Sequence, residues 1–212
     1  MILHCVRHGE STYNAEGRLQ GQSDRPVLSE RGRRQSAAAA EALAAFPVEA
    51  IYSSPLSRAR QTAEIIAGRL GLEIRSEPRL KEIDVGVFED RLRSEVAAVY
   101  PEELARWVSG DVEFRIPGGE SRRDLARRGA EALEAIAAAG LGQVVVVAHG
   151  GLLVAAVKAL LRLPADAPPT ALENGSITRL ARGRDGRWEV LALDQTDHLR
   201  GIGLGGVGDL TV

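Results

Sequence analysis

Three short apolar stretches of this sequence each lead into a basic side chain, and this pattern restricts the folds that the chain can adopt. The first stretch ends at Arg7 and His8, the second leads to Arg58, and the third ends at His149. Short apolar runs bounded by turn residues are typical of buried strands. In open parallel α/β sheets, ligands bind outside the carboxyl ends of the strands. The pattern therefore predicts one crevice that contains two histidines and two arginines, and phosphate is the anion that fits it.

Segments typical of strands alternate with segments typical of helices along the chain. Strands are predicted at 1–7, 48–53, 72–75 and 143–148, and helices at 29–45, 54–70, 91–108, 120–139 and 150–163. Ser54 is predicted to cap its helix, with Pro55 at the first helical position. Two last strands, at 176–181 and 188–193, are joined by an Asp-Gly turn that predicts a hairpin. The alternation predicts the α/β class: a three-layer α/β/α sandwich with a mostly parallel central sheet and an antiparallel edge.

Two segments between these elements are interpreted as loops with a function. Residues 13–28 are polar and too long for a simple connector, and residues 80–90 contain alternating carboxylates. Residues 1–200 are predicted to form one domain, and the glycine-rich tail 201–212 is predicted to be mobile.

Composition excludes several other classes of protein. The 212 residues have a net charge of −2, which argues against a nucleic-acid partner. The single cysteine, Cys5, cannot form an internal disulfide and is predicted to be a buried thiol. The chain starts directly in a predicted strand, so no signal peptide is expected, and its longest apolar run, 152–163, is too short to span a bilayer. These features favour a cytoplasmic enzyme without a membrane partner.

The residues in the predicted crevice fit the chemistry of phosphoryl transfer. A neutral histidine attacks phosphorus if one ring nitrogen is held by a backbone carbonyl, and Gly9 leaves room for that contact beside His8. Arg7, Arg58 and His149 would then neutralise the phosphoryl oxygens. The leaving group also needs a proton, for which Glu82 and Asp84 are both candidates at this point.

Several of these residues and motifs also have a simpler interpretation. A single histidine after a strand is more often structural than catalytic, but two of them, each followed by glycine, favour a site. Arg60 lies two positions beyond Arg58, roughly on the opposite helix face, and is expected at the surface. The glycine pattern at 203–208 matches a dinucleotide-binding motif but has no helix after it. No cluster has the spacing of metal ligands.

The pentapeptide Arg7-His8-Gly9-Glu10-Ser11 resembles the signature of the histidine phosphatase superfamily, also called phosphoglycerate mutase-like. Further matching motifs follow in family order over roughly residues 1–195: Asn14, Gln20-Gly21, 28–32, 53–63, Glu82 with Gly86, 117–121, 149–151 and 174–177.

The resemblance implies a phosphoglycerate mutase-like fold and a role for each site residue. His8 would carry the phosphoryl group, and Glu82 rather than Asp84 would be the proton donor. Arg7, Arg58 and His149 would bind the transferred phosphoryl group. The resemblance implies four further substrate-binding residues, namely Asn14, Gln20, Gly21 and Gly150. It also implies that no metal and no cofactor are required.

The compact segment before Pro117, and the sequence that follows Glu82, resemble the phosphatase branch of this family. The expected function is a metal-independent phosphomonoesterase that acts through a phosphohistidine on a small phosphorylated metabolite. Two alternatives stay open: a cofactor-dependent phosphoglycerate mutase, and a non-catalytic module that binds a phosphorylated ligand. The sequence leaves open which metabolite is the substrate and whether the chain forms a homodimer.

Overall fold

A six-stranded mixed sheet is the centre of the fold in the computed structural model, which describes residues 1–167 and 171–202. The strands are β1 Ile2–Arg7, β2 Ala50–Ser53, β3 Ile74–Ser76, β4 Gln143–Ala148, β5 Ile177–Arg182 and β6 Trp188–Gln195. Their order across the sheet is β3-β2-β4-β1-β5-β6. The first four strands in that order are parallel, and β5 and β6 continue the sheet as an antiparallel hairpin beside β1.

Helices cover both faces of this sheet. They are α1 Thr12–Glu16, α2 Glu30–Leu43, α3 Ser57–Leu70, α4 Arg93–Val99, α5 Pro101–Val108, α6 Arg122–Ala137 and α7 Gly150–Leu161. Side chains of β4 alternate between the faces because successive residues of a strand point in opposite directions. Val145 and Val147 belong to a core with α2 and α3, whereas Val144 and Val146 belong to a core with α6 and α7. The predicted three-layer α/β class is confirmed.

The register of the central strands sets the position of the site. Arg7 is paired with Ala148, and Ser53 is paired with Val147. The strands β1, β4 and β2 therefore end side by side at one edge of the sheet. The residues that follow them, His8, His149 and Ser54, emerge at the same place.

The prediction that Ser54 caps a helix is wrong. Helix α3 begins at Ser57, and its N-cap position is Leu56, which makes no side-chain capping bond. Pro55 and Leu56 form a bend between the strand and the helix. Ser54 stays at the end of the strand, where its hydroxyl is used by the site.

Two further predictions of local structure need correction. The predicted helix 91–108 is two helices, because a new helix starts at Pro101, which cannot donate the backbone hydrogen bond that a continuous helix needs. The predicted loop 13–28 contains most of α1. Ser11 and Asn14 cap that helix reciprocally, and Gly17 ends it in a left-handed conformation.

Cys5 is buried and not in a disulfide, and burial raises the pKa of its thiol to about 12. Within 1–167 and 171–202, no helix combines the length and the apolar character that crossing a bilayer would need. The prediction of a mobile tail falls almost wholly outside the described residues, which end at Ile202.

Candidate active site

The two histidines that follow the central strands face each other. The ring centroids of His8 and His149 are 5.2 Å apart with an edge-on geometry, and both side chains are fully buried. The parallel pairing of β1 with β4 produces this proximity, since the two strands end at adjacent positions. Rings at this separation are in edge-to-face contact, so an anion beside the pair can reach both imidazoles.

The backbone fixes the orientation and the tautomer of His8. Its Nδ1 lies 2.7 Å from the carbonyl oxygen of Gly9, so that Nδ1 carries the proton and donates it to that oxygen. The lone pair of the neutral ring is then on Nε2. The carbonyl of His8 accepts a hydrogen bond from Nδ2 of Asn174 at 3.0 Å, and its N–H donates to the carbonyl of Ala148 at 3.0 Å. His8 is therefore held from both neighbouring strand ends.

Close backbone packing explains the glycine after His8. A Cβ atom at Gly9 would lie 2.3 Å from the carbonyl oxygen of Gly32, far inside van der Waals contact. Helix α2 can therefore approach the end of β1 only if residue 9 has no side chain. This approach keeps the carbonyl of Gly9 in its position beside the His8 ring.

Ser54 holds His149 from the third strand end. The Oγ atom of Ser54 is 2.8 Å from Nε2 of His149 and accepts a hydrogen bond from the N–H of Leu56 at 3.3 Å. Burial first, and then the nearby charge of Arg58, lower the pKa of His149 well below 6.5, so the ring is neutral at pH 7. If the Ser54 hydroxyl donates to Nε2, the ring proton is on Nδ1, which has no hydrogen-bond partner among the described residues.

Arg7 and Arg58 bring positive charge to the same place. Both guanidinium groups are buried. Arg7 donates to the carbonyl of Leu172, and Arg58 donates to the carbonyls of Ser23 and Gly21 at 3.0 and 2.9 Å. These bonds fix the planes of the two arginines and tie the 13–28 segment to helix α3.

Gly150 leaves the space that the Arg7 side chain occupies. A Cβ atom at Gly150 would lie 3.2 Å from Nε of Arg7, which is tighter than most contacts of this kind. The first residue of α7 therefore packs directly against the side chain of Arg7, the last residue of β1.

Glu82 lies at the amino-terminal end of α7, the helix that begins directly after His149. Its buried carboxyl group accepts backbone N–H bonds from Ile83, Gly151 and Leu152 at 2.9 to 3.0 Å. Asp84, the alternative from the sequence, instead accepts from the N–H of Gly86 at 2.9 Å and stabilises its own loop. The structure places Glu82 at the first turn of α7, next to the backbone that follows His149, and places Asp84 in a turn.

Asn14, Gln20 and Gly21 complete this end of the sheet. Oδ1 of Asn14 accepts from the N–H of Ser11 at 3.1 Å, and its Nδ2 has no hydrogen-bond partner in the described part of the chain. Gln20 accepts from the Ser11 hydroxyl at 2.7 Å. Gln20 and Gly21 line a small recess beside Glu82. All nine residues that the sequence suggested for the site thus lie around one crevice.

The sequence prediction missed residues that support the crevice. Ser54 carried a signal only as a helix cap, and Asn174 only as part of a matching motif. Arg128 of α6 carried no signal, yet it donates to the carbonyls of Lys81 and Glu82 at 2.5 and 2.8 Å and pairs with the Glu120 carboxylate. It therefore holds the loop that presents Glu82.

The described residues contain no group of three or more histidine, cysteine or acidic side chains placed to hold a metal ion. The reactive groups that these residues bring to the site are two imidazoles, two guanidinium groups and the Glu82 carboxyl group.

Comparison with known proteins assigns the chain to a family. The sequence profile of the histidine phosphatase superfamily (branch 1) matches residues 3–196. A probable phosphoglycerate mutase GpmB from Cronobacter sakazakii is 39% identical over an alignment of 184 residues that covers 84% of this chain and 83% of that relative.

Two solved structures are similar to this chain over most of its length. The mycobacterial glucosyl-3-phosphoglycerate phosphatase Rv2419c, in complex with VO3, superposes with a TM-score of 0.82 at 36% identity and covers 91% of this chain and 98% of its own. Bacillus stearothermophilus YhfR superposes with a TM-score of 0.87 at 30% identity, over 93% of this chain and 98% of its own.

Proposed function

The chain belongs to the histidine phosphatase superfamily, and we propose that it hydrolyses phosphomonoesters through a phosphohistidine on His8. The observation that carries the proposal is the 5.2 Å separation of the His8 and His149 rings, with two buried arginines and one buried carboxyl group around them. A binding module for phosphate would need the cations but not the carboxyl group. The proton donor therefore favours catalysis over the non-catalytic alternative.

In the first step, Nε2 of His8 attacks phosphorus and the bond to the ester oxygen breaks. Glu82 gives its proton to that oxygen, so the leaving group departs as a neutral alcohol. Arg7, Arg58 and Nδ1–H of His149 bind the equatorial oxygens, where charge develops. Oriented donors in a site without bulk water typically lower the free-energy barrier by about 3 kcal/mol each.

In the second step, Glu82 takes a proton from water and the water oxygen attacks phosphorus. The bond between Nε2 and phosphorus breaks, inorganic phosphate leaves, and His8 returns to its neutral form. The bond from Nδ1–H to the Gly9 carbonyl persists through both steps, so His8 need not change its tautomer. No step requires a metal ion, and we propose that activity persists in the presence of a chelator.

Radiolabelling with acid quench tests the role of His8. The enzyme is mixed with a ³²P-labelled monoester, and protein-bound label is measured before and after mild acid treatment. We expect an acid-labile adduct that forms with chelator present and is lost in His8→Ala. His198→Gln is a matched control, because the His198 ring bonds to the backbone carbonyl of Gly175 and is not one of the proposed site residues. An adduct that persists in His8→Ala would contradict the proposal.

A phosphoglycerate mutase is the second candidate, because the curated relatives carry that name. Phosphatase is favoured by the similarity to the mycobacterial phosphatase over 91% of this chain. The two reactions differ in what becomes of the phosphoryl group. Incubation with 3-phosphoglycerate, with and without a bisphosphate primer, is read by ³¹P NMR. Release of inorganic phosphate supports hydrolysis, and primer-dependent isomerisation without release supports the mutase.

A further inference from the structure

A cavity of about 770 Å³ adjoins the crevice between α5, α6 and α7. It shares Ile83, Trp107 and Gly151 with the small recess that contains Glu82. Because the N–H of Gly151 donates to the Glu82 carboxyl group at 3.0 Å, the cavity begins directly beside the proposed proton donor.

The position of Glu82 determines which part of a substrate can enter this cavity. The leaving oxygen takes its proton from Glu82, so the leaving group must lie on the Glu82 side of phosphorus. The cavity opens on that side. This step of the inference rests on the proposed phosphatase function.

The size and the walls of the cavity indicate a bulky leaving group. Leu125, Val154, Ala155 and Leu163 line it together with the Trp107 ring. Its volume is within the range of about 300–1,000 Å³ that is usual for sites of drug-sized ligands. A three-carbon group such as glycerate would leave most of this apolar space unfilled.

Two cationic side chains line the cavity, and within the described part of the chain neither forms a salt bridge with an acidic side chain. Arg122 lies with its guanidinium carbon 5.6 Å from the Trp107 ring centroid, and its buried Nε and Nη1 have no hydrogen-bond partner among the described residues. Burial lowers the pKa of Arg122 to about 10. Asp111, whose charge acts on Arg122, is already bonded to Arg106 at 3.0 Å.

Lys158 is the second cation, on the α7 side of the cavity. It is 6% exposed, and its Nζ donates to the carbonyl of Ala165 at 2.5 Å. Burial lowers the pKa of Lys158, the negative charge of Asp166 at the edge of the cavity opposes this shift in part, and the positive charge of Arg122 adds to it. A buried cation is stable when an anion joins it, and arginine binds carboxylates with oriented N–H groups.

We propose that this cavity binds the leaving group of the substrate, and that the leaving group is a largely apolar chain or ring with a carboxylate, which Arg122 and Lys158 bind. The substrate class is then an amphiphilic phosphomonoester with two acidic ends. The phosphate occupies the histidine crevice, and the carboxylate lies at Arg122 and Lys158 in the adjoining cavity.

Kinetics with two homologous series test this inference. One series consists of n-alkyl phosphates of increasing length, and the other of ω-carboxyalkyl phosphates of the same lengths. We expect kcat/KM to rise with length in both series, and a chain length at which the carboxylate adds a further 10- to 100-fold, roughly the effect of one charge-assisted hydrogen bond. Absence of any such length would overturn the proposal.

Variants assign the gain to the cavity. In Arg122→Met the ratio of kcat/KM between the carboxylated and plain esters should fall toward one, with partial recovery in Arg122→Lys. Arg127→Met is the matched control, because Arg127 is on the same helix but 70% exposed and paired with Asp124. Ala155→Trp should shift the optimum to shorter chains. An unchanged ratio in Arg122→Met and an unchanged optimum in Ala155→Trp would refute the assignment.

Binding separates this inference from the proposed function. Calorimetry with His8→Ala measures the affinity for both series without turnover. If no monoester is hydrolysed but the carboxylated esters bind more tightly than the plain esters, the hydrolase proposal fails and the cavity inference stands. If plain esters are hydrolysed and the carboxylate adds nothing to rate or affinity, the reverse holds.

Discussion

The hydroxyl oxygen of Ser54 lies 2.8 Å from Nε2 of His149, which connects the end of β2 with the end of β4 inside the crevice. Within the described part of the chain, this hydrogen bond holds the His149 ring, which burial keeps neutral. It also determines which nitrogen of His149 can donate to a phosphoryl oxygen. Ser54 is therefore a positioning residue for the proposed reaction.

Removing this hydroxyl should lower turnover more than binding. In Ser54→Ala the neutral ring is free to place its proton on Nε2, so we expect kcat to fall about 10- to 100-fold, as for a buried polar group left unpaired. KM should change less than kcat. Ser53→Ala is the matched control, since the Ser53 hydroxyl donates to the backbone carbonyl of Ser54. An unchanged kcat in Ser54→Ala would exclude this role.

Stability should depend on pH through the buried histidines. The pKa of His149 is well below 6.5 in the folded chain, and burial also lowers the pKa of His4. The unfolded chain therefore binds more protons below about pH 6.5, so the free energy of unfolding decreases as the pH falls. Urea unfolding at about pH 7.5 and 5.5 measures this slope. In His149→Gln the slope should decrease by up to one proton.

An acidic side chain provides the control for this slope. The pKa of Asp124 is lowered from 3.8, so its contribution is complete above that value and is lost only in more acidic solution. Asp124→Asn should keep the slope of the parent protein between about pH 5.5 and 7.5. An equal slope in the parent and in His149→Gln would show that His149 is not held neutral.

Two glycines with different surroundings should respond oppositely to alanine. Gly9→Ala would force a Cβ atom to 2.3 Å from a backbone oxygen of Gly32, so we expect a loss of about 2–3 kcal/mol or more. Gly68 in α3 has nothing within 4 Å of its Cβ position, so Gly68→Ala should stabilise the helix by about 0.5–1 kcal/mol. Thermal or urea unfolding measures both changes, and a tolerated Gly9→Ala would contradict the packing argument.

The role of Glu82 should depend on the leaving group. In Glu82→Gln the proton donor is lost, so kcat/KM for alkyl phosphates, which reports the first step, should fall about 10²- to 10⁴-fold. For p-nitrophenyl phosphate, whose leaving group needs no proton, the fall in kcat/KM should be much smaller, whereas loss of the base in the second step lowers kcat for both esters. Asp84→Asn is the control, because that carboxylate serves the turn at Gly86. An equal loss of kcat/KM for both esters would mean that Glu82 acts in some other way.

The sequence was most informative where a local pattern determines a position in the sheet. Apolar runs predicted the strands, and parallel strands end at one edge, so His8 and His149 could be placed together without coordinates. The motif around Arg7 also identified the family, which the comparisons confirm. The roles of the site residues stay predictions.

The residues that the sequence did not reveal act through contacts distant along the chain. Ser54 and His149 are separated by 95 positions, and Arg128 reaches the Glu82 carbonyl across 46. The cavity at Arg122 forms where three helices meet, and no helix taken alone has a pattern that predicts the gap between them. The helix boundaries near the two prolines were also not predicted: Pro55 lies in a bend before α3, whereas Pro101 starts α5.

The buried position of Cys5 has a practical consequence for work on this protein. It is the only cysteine among the 212 residues, and a thiol with a pKa of about 12 is almost entirely protonated in neutral solution, where maleimides and disulfide reagents attack thiolates. A cysteine introduced at a surface position would therefore take up a fluorophore or spin label alone. With two such cysteines, the distance between their labels could be measured without first removing the Cys5 thiol.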